Sequence, residues 1–86
     1  MSARIASRDQ QGKFAESIAA AREALKLHPD YAPAWNNISA AYNSMGQWDA
    51  GIRAAEKAVR ADPNFQLAKN NLAWAQDQKR KLTIPR

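Results

Sequence analysis

The side chains able to act in acid–base, nucleophilic or metal chemistry are few and scattered. His28 is the sole imidazole of an 86-residue chain that holds no cysteine. A thiolate nucleophile, a disulfide and a multi-histidine metal site are therefore excluded. His28 stands directly before Pro29, as Asp62 stands before Pro63, and reads as a helix C-terminal residue that suits the dipole there. Ser2, Ser7, Ser17, Ser39 and Ser44 have no adjacent base, and the carboxylates lie mostly beside cations, Glu23 with Lys26 and Asp49 with Arg53. That spacing describes a solvated, ion-paired helical surface. The three glycines, Gly12, Gly46 and Gly51, do not form a phosphate-binding loop. Neither an enzyme nor a cofactor is expected.

The chemistry these residues do support is amide recognition. Asn36-Asn37 recurs as Asn70-Asn71 at an offset of 34 residues. Each amide offers two donor hydrogens and an acceptor oxygen, a match for the backbone of an extended peptide whatever its sequence. The alternative is that such amides only cap or hydrate a surface.

Composition points to the elements that must carry them. β-Branched residues number five Ile, one Val and one Thr, and glycine and proline are scarce, a mixture that favours helix over sheet. No run approaches the apolar length of a membrane span, and the N-terminus lacks a signal-peptide core, so no membrane insertion is expected. The compartment stays open, with the cytoplasm the default expectation.

The 34-residue offset governs most of the chain. It pairs Gly12 with Gly46, Ile18 with Ile52, Ala24 with Ala58, Pro29 with Pro63 and Ala41 with Ala75, and conservatively Phe14 with Trp48 and Ile38 with Leu72. One offset explaining so many pairs marks a repeat protein. Trp35, Ile38, Ser39 and Tyr42 share one face of a helix over residues 32–45, which Gly46 ends. Trp48, Ile52, Ala55, Ala58 and Val59 form the face of a second helix over residues 48–61, closed by Asp62-Pro63.

Residues 32–65 resemble a tetratricopeptide repeat. Counting from Ala32, the residues Trp35, Ile38, Ser39, Tyr42, Gly46, Ala58 and Pro63 fall on the signature places of that family. Gly51 departs from the pattern, since alanine is usual there. The resemblance implies an all-α fold, an α-solenoid of antiparallel helix pairs in a right-handed superhelix, with about five helices in one domain over residues 1–86. Residues 1–31 would form an N-terminal repeat with a weak first helix, because Met1 and Arg8 stand where Trp35 and Tyr42 stand in the next unit. Residues 32–65 are the full repeat and residues 66–81 a capping helix, with Lys69 and Gln76 polar toward the missing partner. Residues 82–86 are a tail.

In such a stack the first helices of each unit line the inner face, where ligands dock. The resemblance places Asn36, Asn37, Ala40, Asn43 and Ser44 there, then Asn70, Asn71, Trp74, Asp77 and Gln78 one unit later, and Ser2, Ala3, Ala6, Asp9 and Gln10 one unit earlier. Asn37 and Asn71 stand at one register, similar to the asparagine ladders with which some members of the family hold peptide backbones. Trp74 is expected to anchor an apolar side chain of a partner, or else to pack on the end of its own array. The clamp by which other members hold a C-terminal carboxylate is matched at Asn37 alone.

The expected role is therefore a protein or peptide interaction module. Self-assembly is the first alternative, with a homodimer through the weak N-terminal end. Nucleic acid or an anionic surface is the second, because Arg53, Lys57 and Arg60 make an i, i+4, i+7 stripe in a chain of formal charge +5. No aromatic residue interleaves with that stripe along α-helical sequence, which disfavours nucleic acid.

Overall fold

The computed structural model describes the backbone of residues 2–83 and the side chains of residues 12–82. Four α-helices account for nearly all of it: α1, Ser2–Leu27; α2, Ala32–Ser44; α3, Trp48–Ala61; and α4, Gln66–Thr83. No strand occurs among the described residues, and no described helix is long and apolar enough to cross a membrane.

The punctuation between helices follows the residues. Gly46 takes a φ of 77°, a conformation that costs glycine little, and Gln47 N–H then reaches back 2.9 Å to the Tyr42 carbonyl. At the next turn Asp62 leaves helical geometry before Pro63, and its Oδ1 accepts the Asn64 N–H at 3.1 Å. Pro33 in the first turn of α2 loses nothing there, since that N–H has no partner inside a helix.

Four helices meet the expected count of about five, because the first repeat folds as the single 26-residue α1. Gly12 stands where Gly46 makes its turn, yet among the described residues Gly46 is the glycine with positive φ. A turn pays only if the returning helix buries an apolar face, and Arg8 offers none where Tyr42 does. At the other end α4 runs through Thr83, two residues past the expected boundary at 81.

The core lies between α1, α2 and α3. Ile18 and Ala21 of α1 meet Ala34, Ile38 and Ala41 of α2 and Ala54 of α3, with Phe14, Leu25, Trp35, Tyr42 and Met45 closing its margins. Burying Ile38, 4% exposed, contributes on the order of 2 kcal/mol. Ala55, Ala58, Ala68 and Ala75 have no exposed surface and let α3 and α4 approach closely. A leucine at Ala55 would overfill that seam, at a cost of about 1–3 kcal/mol. Helix α4 lies close along both α3 and α2, whereas the backbone of α1 comes close to α2 alone and reaches Ala54 of α3 only through side chains such as Ile18 and Ala21.

Candidate partner-binding groove

Helices α2 and α4 stand side by side and present the amide-bearing faces of successive repeats. Seven of the residues expected to line a groove divide into three groups.

Asn36 and Asn43 are not on the surface. Asn36 is 9% exposed, and its Oδ1 accepts a 2.7 Å hydrogen bond from Asn71 Nδ2. Asn43 is 2% exposed and donates from Nδ2 to the Asn71 carbonyl at 3.4 Å. Both expectations of groove contact are corrected here, for one physical reason. The close approach of α4 covers the flank of α2 that carries them, so these amides join the helices rather than meet solvent.

Asn37, Ala40 and Asn71 remain available in graded fashion. Asn37 is exposed, Ala40 half-buried, and Asn71 half-buried with one amide hydrogen committed to Asn36. The Asn36–Asn71 bond fixes the side chain of Asn71 and sets the register of α4 against α2. Asn70 is exposed, and its Oδ1 accepts from Gln66 Nε2 at 2.9 Å within α4. The earlier-unit positions Ser2, Ala3, Ala6, Asp9 and Gln10 have side chains outside the described residues.

Trp74 divides its surface. Its ring meets that of Trp48 edge-on, with centroids 5.1 Å apart and planes at 87°, and the residue keeps 48% of its surface exposed. Asp49 beside Trp48 pairs with Lys79 of α4, a second tie between the same helices. That hydrogen bond and the Lys79 charge hold the Asp49 carboxyl below its ordinary value of 3.8. Asp77 is likewise lowered, by hydrogen bonds from Arg80 and Lys81.

Three contacts have no signal in the spacing of the sequence. Ser39 Oγ donates to the Gly51 carbonyl at 2.8 Å with Ser39 wholly buried. Trp35 Nε1 donates to the Pro29 carbonyl at 2.9 Å. The Lys57 ammonium sits 4.8 Å from the centre of the Trp35 ring. The last corrects the view that the basic stripe lacks aromatic neighbours, for packing brings in Trp35 from another helix. Among the described residues no cluster of three or more His, Cys, Asp or Glu could hold a metal ion.

The sequence model of one family, described as tetratricopeptide repeat, matches residues 10–75. Among curated proteins none matches the chain significantly.

Proposed function

We propose that this chain, which belongs to the tetratricopeptide repeat family, holds an extended segment of a protein partner along the α2–α4 face. Members of the family generally mediate protein–protein interaction and are generally not catalytic. The observation that carries the finer reading is the pair of amides at one register, exposed Asn37 and half-buried Asn71. Asn71 is oriented by its 2.7 Å bond to Asn36, so less side-chain entropy is lost when it meets a ligand. Trp74 offers half of an indole beside them for an apolar side chain. A backbone-reading face of this kind is indifferent to the charge of its ligand.

The test is selection of a random displayed dodecapeptide library on the full chain, followed by calorimetry on the selected peptides. Two amide contacts at about 0.5–1.5 kcal/mol each predict a roughly tenfold loss of affinity in N37A/N71A. Unchanged affinity in a variant that keeps its helical circular dichroism removes the ladder. Light scattering over a wide concentration range addresses self-assembly, and a monomer throughout is expected. A concentration-dependent dimer would assign the exposed Leu67 and Trp74 to contacts between copies instead.

A further inference from the structure

Helices α1 and α3 both rest on α2 with their backbones held apart, and a valley runs between them. This valley lies away from the amide face, since it is bounded by α1 and α3 and none of Asn37, Asn70, Asn71 or Trp74 lines it. Its deeper part encloses about 470 Å³, with Trp35, Ile38 and Tyr42 as floor and Arg22, Arg53 and Lys57 on the walls. A second depression of about 360 Å³ shares Trp35 and Lys57 with the first and adds Arg60. The two are therefore one channel along α3.

Charge on this channel has a single sign over most of its length. No carboxylate lines the deeper part. Asp30 borders the shallower end, across from Arg60. Of the carboxylates near these cations in sequence, Glu23 pairs with Lys26 on α1 and Asp49 pairs with Lys79 on α4 while its charge still reaches Arg53, and neither Asp49 nor Glu56 beside Lys57 lines the valley. The cations are also held in place. Arg22 donates to the Tyr42 hydroxyl at 3.1 Å, and Lys57 sits over the Trp35 ring, itself fixed by its bond to Pro29.

We propose that this valley is a second docking surface, and that its occupant is an acidic segment of a partner protein bearing a large apolar side chain. The apolar side chain fits the floor of Trp35, Ile38 and Tyr42 between Leu25 and Ala54, and the flanking carboxylates meet Arg22 on one wall and Arg53 and Lys57 on the other. Charge complementarity calls for an anionic occupant, and two further features favour an acidic peptide over nucleic acid or a membrane. The Trp35 face that could stack on a base is covered by the Lys57 ammonium. A bilayer takes up protruding apolar side chains, whereas those of this valley lie at its floor. A second copy of the chain, also of charge +5, would bring the wrong sign.

The same displayed library separates this surface from the amide face. On the wild-type chain one class of selected peptides should combine Asp or Glu with a central Leu, Phe or Trp. Its affinity should fall roughly tenfold or more in R53E/K57E and by a smaller factor in R53Q/K57Q, and weaken steeply with added salt. It should be unchanged in N37A/N71A, and alanine in place of its apolar residue should also weaken it. The exposed positions of Arg53 and Lys57 leave the fold intact, which circular dichroism checks. Absence of an acidic-apolar class, or affinity indifferent to both charge variants, overturns the proposal. So does a poly-thymidine oligonucleotide or a phosphatidylserine vesicle that binds more tightly than the selected peptides and is lost in the same variants.

Discussion

Asn43 fills the space that a side chain on Gly51 would need. A Cβ built on Gly51 would run into Asn43 Oδ1 and would come within 3.4 Å of the Ser39 carbonyl oxygen. The glycine that departs from the repeat pattern is thus explained by a neighbour eight residues earlier, across the turn. Asn43 Oδ1 is buried without a hydrogen-bond partner and lies against the glycine backbone.

Gly51→Ala is expected to destabilise the chain by about 1–3 kcal/mol through overpacking, although alanine alone would gain about 1 kcal/mol of helix propensity. In the Asn43→Ala background the same substitution should become stabilising by about 1 kcal/mol, because the obstacle is gone. Urea denaturation of the four proteins closes the double-mutant cycle. Additive effects would show that the two residues do not share one space.

Much of this relationship was hidden in the sequence, and the reason is geometric. Periodicity reports which residues share a face of one helix, and so the α2–α3 pair, the turn at Gly46 and the stop at Asp62-Pro63 were readable from spacing alone. It does not report how closely the next helix approaches. Asn36 and Asn43 look like surface amides by pattern, but α4 covers Asn36, and α3 and α4 together enclose Asn43. Helix α1 runs unbroken through Gly12 for the opposite reason, since a glycine permits a turn but does not require one. Lys57 over Trp35 joins residues 22 positions apart on different helices, beyond the reach of any single-helix rule.

The lowered carboxyls give a pH dependence of definite sign. Asp49 and Asp77 hold their protons less tightly in the folded chain than in the unfolded one. Unfolding therefore takes up protons in acid, and the stability these groups contribute above the ordinary carboxyl value of 3.8 is lost as pH falls through their lowered values. Thermal denaturation of D49N and D77N should show a flatter acid limb than wild type. Both carboxylates are exposed, so added salt should flatten the wild-type curve as well. An acid limb with equal slope in all three proteins would assign the transition to other groups.

Trp74→Ala should cost about 0.5–1.5 kcal/mol more than its buried area accounts for, the contribution of an edge-to-face ring pair. Near-ultraviolet circular dichroism provides an independent reading, because two indoles 5.1 Å apart at 87° couple their transitions. The variant should lose more ellipticity than removal of one isolated indole produces, and Trp48→Ala should give the same loss. Different spectra from the two variants would mean that the rings do not act as a pair.

The chain of contacts in which the backbone of α1 comes close to α2 alone, while α2, α3 and α4 meet one another, carries a kinetic consequence. Each helix gains its partners from sequence neighbours or next neighbours, so ordering can spread outward from the α2–α3 hairpin without closing a long loop. Opening runs in the reverse direction. Amide hydrogens of α2 and α3 should exchange most slowly, those of α4 faster and those of α1 fastest, a gradient set by the order in which helices can leave. The floor of the α1–α3 valley is laid by the most persistent helix, and one wall belongs to the helix that departs first.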